Sequence, residues 1–140
     1  MGHQYGMSRA SVFNEAGEFE AALEASTQEI TRESDNAEHY WDRASALSSL
    51  ERYDEAVAEF ERAKLVDTKL GVLDDDMLDD AYFSALLGAA RQEKDIETGC
   101  EKLRRYLTVF PAGRHVTDTD EWQRRLRGEL KSKFVKERLE

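Results

Sequence analysis

The chain repeats itself, and that constrains its fold more than any other feature. Shifted by 34 residues, Ala10 falls on Ala44, Phe13 on Leu47, Phe19 on Tyr53 and Ala22 on Ala56. The strings around these positions are GEFEAALE (17–24) and ERYDEAVAEFERA (51–63). Each reads as a turn, an aromatic, neighbouring acids, and a helix with a small residue on its inner side. A third copy follows at a shift of 43: Tyr40 falls on Phe83, Tyr53 on Ile96, Phe60 on Leu103 and Ala63 on Tyr106. The longer shift fits an insertion within 68–80. A unit of this length cannot bury its apolar face alone, so copies must stack.

The copies are helical. The chain has one proline, Pro111, and only eight glycines, which disfavours a turn-rich β fold. Charged residues make up 36% and apolar residues 40%, the balance expected of helices with one wet face. Periodicity predicts helices near 8–16, 19–32, 36–50, 53–66, 76–92, 95–109 and 118–138. Asp35 or Asn36 is the expected cap of the third, and Pro111-Ala-Gly113 ends the sixth.

The segment 37–67, AEHYWDRASALSSLERYDEAVAEFERAKLVD, resembles one complete tetratricopeptide repeat (TPR). Tyr40, Ala44 and Leu47 fill the pattern's first helix; Tyr53, Ala56, Phe60 and Ala63 fill its second. Arg43 departs from the usual leucine and Thr68 from the usual proline. The copy at 80–111 has Gly99 as its small residue and Pro111 as its terminator. The first copy departs most, with Arg9, Ser26 and Glu29 at positions usually apolar or small. The resemblance implies an all-α, right-handed superhelix of about three antiparallel helix pairs over 8–113, after a flexible N-terminus at 1–7. Met7 is an alternative start.

Residues 114–140 are expected to form an amphipathic helix capping the stack. Its stripe is Trp122, Leu126, Leu130, Phe134 and Leu139, with Asp118 or Thr119 as cap. The tail is basic, with 11 Lys and Arg against 7 acids in 101–140, on a chain of net charge −10. A basic amphipathic helix also suits a membrane surface or a partner. The net charge disfavours nucleic acid as a partner.

In the TPR family the first helix of each pair lines a concave surface where a partner lies. That geometry assigns Glu38, Trp41, Asp42, Ser45, Ser48 and Ser49 to the groove in the middle copy, and Ala81, Ser84, Ala85, Gly88, Arg91 and Gln92 in the third. In the first copy it assigns Met7, Ser8, Ser11, Asn14 and Glu15. Trp41 is the expected anchor. The alternative is that it packs on the N-terminal helix. Small residues leave room for bulky apolar side chains, and Glu38 and Asp42 favour basic partners. Relatives that hold chaperone C-terminal carboxylates use a clamp of Lys, Asn and Arg. Here the corresponding places hold Met7, Ser11, Asp42, Ala81 and Ala85, so that mode is not expected.

No catalytic, cofactor or metal motif stands out. His3, His39 and His115 lie far apart in sequence. The acids Asp74, Asp75, Asp76, Asp79 and Asp80 lack the spacing of a calcium loop and read as a solvated loop and helix N-terminus. The lone cysteine, Cys100, reads as buried packing and excludes an intramolecular disulfide. The expected function is a non-enzymatic protein–protein interaction module in the cytoplasm, with no signal-like or membrane-spanning stretch. A secretion-type chaperone and a self-associating assembly protein are the alternatives. The run CEKLRRYLTVFPAGRH (100–115) also resembles repeats of bacterial envelope-assembly proteins.

Overall fold

The computed structural model describes residues 8–67 and 73–128. These form seven α-helices and, among the described residues, no strand. They are α1 (Arg9–Glu15), α2 (Phe19–Arg32), α3 (Ala37–Ser49), α4 (Tyr53–Val66), α5 (Asp75–Gln92), α6 (Ile96–Val109) and α7 (Val116–Leu126). The expected flexible N-terminus, Thr68 and the stripe positions Leu130, Phe134 and Leu139 lie outside the described residues.

Short polar side chains start four of the helices. Ser8 accepts from the Ser11 N–H, Asn36 from Glu38, Asp74 from Asp76 and Met77, and Asp95 from Thr98. The repeat extends to the turn backbone. Gly17 ends α1 at φ 79° and Glu51 ends α3 at φ 59°, one 34-residue shift apart. The Glu18 N–H donates to Phe13 O at 2.8 Å, and its counterpart Arg52 donates to Leu47 O at 2.9 Å. The paired bonds, Gly17 N–H to Asn14 O and Glu51 N–H to Ser48 O, measure 3.1 and 3.0 Å. Both turns are Schellman closures. Glycine adopts this conformation freely; Glu51 does so at a cost.

Each helix packs on its sequence neighbours, and α1 also packs on α3. Ala44, Ala56 and Ala63 are fully buried, so α3 and α4 approach closely. Gly99 serves the same end: a Cβ there would lie 2.8 Å from the Ala90 carbonyl oxygen, so α6 presses on α5 as no larger residue allows. The main core joins Leu47, Phe60, Leu78, Tyr82, Phe83, Leu86, Leu103 and Tyr106. Tyr40 is buried as expected, its hydroxyl donating to Ser34 O at 2.7 Å. Arg43, the departure from leucine, is compensated: its Nη1 lies 3.5 Å from the largely buried Glu59 carboxylate, and its Nε donates to Thr27 at 3.0 Å.

The acidic run lies at the N-terminus of α5 as expected, and one of its acids departs from the solvated role. Asp74 caps α5, but Asp79 is buried, accepting from the Tyr106 hydroxyl and from the Arg114 N–H at 2.9 Å. The Tyr106 hydroxyl in turn accepts the His115 N–H at 2.9 Å. Burial together with the bond to Asp79 pushes the Tyr106 hydroxyl pKa up.

The last helix corrects two expectations. It starts at Val116 after His115, with no side-chain cap. Neither Asp118 nor Thr119 caps it: Thr119 is fully buried and donates to His115 O at 2.9 Å, and Asp118 lies 2.8 Å from His115 Nδ1. The described helix ends at Leu126, where Gly128 takes φ 80°. A helix continuous through 118–138 is therefore interrupted, because glycine closes its C-terminus. Cys100 is fully buried against α7, its Sγ 3.8 Å from Gln123 O, the packing role expected of it.

Candidate partner-binding groove

The predicted groove residues lie on α3 and α5, and the structure divides them. Glu38, Ser49, Ser84, Arg91 and Gln92 are exposed; Trp41, Ser45 and Ser48 are half-buried. Trp41 leans edge-on against Phe60 of α4, ring centroids 5.4 Å apart, and leaves part of its ring accessible. It is neither a free anchor nor wholly core.

Asp42 does not belong to the open groove. It is 5% exposed, and its two carboxylate oxygens accept from Ser8 at 2.8 Å and Ser11 at 3.0 Å. Asn14 Nδ2 donates to the Asp42 carbonyl at 3.0 Å. The first-copy residues Ser8, Ser11 and Asn14 thus fasten α1 to α3. Burial pushes the Asp42 carboxyl above its ordinary pKa, against the lowering effect of the two serine hydroxyls.

Gly88 is likewise structural. A Cβ there would meet the Tyr53 ring at 2.7 Å, so its lack of a side chain admits Tyr53. Gln92 donates to Glu51 O at 3.0 Å and ties the end of α5 to the α3–α4 turn. Ala85 is fully buried and Ala81 packs on the core. Of the predicted groove residues, Glu38, Trp41, Ser45, Ser48, Ser49, Ser84, Arg91 and Gln92 keep accessible surface.

Sequence reasoning missed a contact at Arg91. Trp122 of α7 is half-buried against the core, with the Arg91 guanidinium 5.6 Å and that of Arg125 5.0 Å from its ring centroid. Its place in the apolar stripe was visible; its meeting with Arg91 was not, because that depends on how α7 docks.

A concavity of about 410 Å³ lies between α4 and α6 over part of α5, lined by Asp54, Val57, Leu86, Ala89, Thr98 and Glu101 among others. Its charges already pair across it: Lys102 Nζ to Asp54 Oδ1 at 2.9 Å and Arg105 Nη2 to Glu61 Oε1 at 2.7 Å. Burial alone would raise the Glu61 carboxyl, but the bonds from Arg105 and Tyr82 hold it below its ordinary pKa.

No protein-family model matches the sequence, and no curated protein matches it significantly. Among solved structures, the chain is similar to the second TPR domain of the human RPAP3 protein, solved by NMR in complex with the HSP70 peptide SGPTIEEVD. The two share 19% identity and a TM-score of 0.56, over 83% of this chain and 89% of that one. The chain has the TPR-like fold: an all-α superhelix of stacked antiparallel helix pairs. Among the described residues, no helix is long and apolar enough to cross a membrane.

Proposed function

We propose that this chain is a protein–protein interaction module that holds a partner peptide or helix along the concave strip from Glu38 and Trp41 to Arg91. The half-buried Trp41, packed on Phe60, carries the reading. The peptide-bound RPAP3 domain supports use of the fold for binding. The ligand chemistry differs. That peptide is acidic and ends in a carboxylate, whereas the corresponding positions here offer no clamp: Ser11 is engaged by Asp42, and Asp42 is itself an acid. The small side chains at Ser45, Ser48 and Ser84 leave room for bulky apolar groups, and Glu38 favours a basic residue beside them. The reading is non-enzymatic and cytoplasmic, with no nucleic acid or membrane involved.

The test is selection of peptides from a displayed library by the full chain, followed by affinity measurement. Trp41→Ala is expected to weaken selected peptides by roughly 30-fold, the scale of a hot-spot residue. Ser84→Lys, on an exposed position that disturbs no core contact, is expected to weaken them too. Full affinity in both variants, each checked for retained helicity, overturns the assignment.

A further inference from the structure

The fold brings together three ligand-type side chains that no sequence spacing links. Glu29 near the end of α2 and His39 and Asp42 on α3 place one ligand atom each within 4.8 Å of one another. All three are nearly enclosed: the side chains of His39 and Glu29 are 10% and 12% exposed, and Asp42 is 5% exposed. Glu29 occupies the register held by Ala63 and Tyr106 in the other copies, both fully buried. An acid thus stands where the repeat calls for an interior residue.

The histidine is directed by its outer partner. His39 Nε2 lies 2.8 Å from Glu33 Oε1. A carboxylate only accepts, which assigns the proton to Nε2 and leaves Nδ1 as the inward nitrogen. That Nδ1 and the facing Glu29 Oε1 are both buried without a hydrogen-bond partner. They lie 3.9 Å apart, too far for a hydrogen bond. The separation is nearer to that of two ligands across a zinc ion, about 3.3–3.6 Å for tetrahedral bonds of about 2.0–2.2 Å. Two enclosed carboxylates and an imidazole lone pair are costly without a positive charge among them.

We propose that Glu29, His39 and Asp42 bind one divalent transition-metal ion of the zinc class beneath the α2–α3 turn. His39 supplies Nδ1, Glu29 and Asp42 supply one carboxylate oxygen each, and water completes the tetrahedron. Glu33 on the far nitrogen is the carboxylate–histidine arrangement that orients a metal-bound imidazole. Ser8 and Ser11 orient Asp42 in the same way. The imidazole favours zinc over calcium, which takes oxygen ligands. The ion clamps α2 to α3 and, through Asp42 and its serines, reinforces the seat of α1. His115 is the internal contrast: its nitrogens lie 2.8 Å from Asp118 and 2.7 Å from Asp80, so neither is open.

The test is titration of the full chain with zinc chloride, followed by calorimetry and thermal unfolding. One equivalent is expected to bind and to raise the melting temperature, with reversal by a chelator. His39→Gln and Glu29→Gln are expected to abolish this, Glu33→Gln to weaken binding by roughly 10- to 100-fold, and His115→Gln to leave it intact. Should a variant fail to fold, long-range ¹H–¹⁵N spectra of the wild-type chain decide. Zinc should shift His39 Nδ1 while Nε2 stays protonated. No binding, binding retained by His39→Gln, or a His39 signal indifferent to zinc overturns the proposal.

Discussion

The first and third copies of the repeat share a backbone plan but not an interior. Where α6 presents Leu103 and Tyr106, α2 presents Ser26 and Glu29 at the same register. Around Tyr106 the C-terminal half builds a ring stack: Phe83 at 5.5 Å, Phe110 at 5.6 Å, Tyr82 at 6.4 Å, and His115 lying flat on Phe83 at 4.4 Å. The N-terminal pair instead closes on Ala10, Ala22, Ala25 and Ser26, with polar bonds fastening α1 to α3. Close approach of small residues suffices to seat a helix in a repeat stack, whereas large buried rings supply most of the stabilisation. The N-terminal pair is therefore the weak end, and α1, at seven residues, its first part to open.

The largest contrast comes from matched truncations. Leu103→Ala removes a fully buried side chain and is expected to cost about 2–5 kcal/mol in denaturant unfolding. Ser26→Ala, at the same register, is expected to cost under about 1 kcal/mol, since its hydroxyl donates to Leu23 O of its own helix. Equal costs would erase the distinction between the two ends. Next is Tyr106→Phe, which deprives the buried Asp79 of one donor and the His115 N–H of its acceptor. A loss of about 1–3 kcal/mol is expected from the same measurement.

Asp42→Ala sharpens the comparison from the other side. It removes the acceptor for Ser8 and Ser11, so amide exchange should accelerate in α1 by roughly tenfold, a local loss of about 1–2 kcal/mol, while α5 and α6 stay protected. Acceleration throughout the chain would contradict local seating. Glu51→Gly is expected to stabilise by at most about 1 kcal/mol, because glycine adopts the turn that Glu51 adopts at a cost.

The smallest effect is electrostatic. Burial acts to lower the His115 pKa, but Asp80 and Asp118 override it and hold the pKa above the ordinary value. The resulting stability is complete below about pH 6.5, the unfolded value, and fades as pH rises through the folded one. The melting temperature should fall over that interval in the wild type and less in His115→Gln. Matching profiles would remove His115 from the account.

Periodicity made the scaffold legible. The 34-residue shift placed α2 at 19–32 and α4 at 53–66, where they stand. It failed at α7, where the apolar spacing through Leu130 and Phe134 outweighed the glycine that stops the helix. For α3 and α5, periodicity separated core from surface positions but not the partners that surface positions meet. Asp42 meets Ser8 across 34 residues, Gly88 meets Tyr53 across two helices, and Gln92 reaches Glu51; no local pattern encodes such meetings. Trp41 was legible because its neighbour Tyr40 fills the core position of the repeat.

The most direct test of the binding account is to map a library-selected peptide onto the isotope-labelled full chain by chemical-shift perturbation. The expected result is a continuous set of shifts at Trp41, Ser45, Ser48, Ser84 and Arg91, running along α3 and α5. Shifts confined to Val57, Thr98 and Glu101 in the α4–α6 cleft, with the proposed α3 and α5 positions silent, would contradict it.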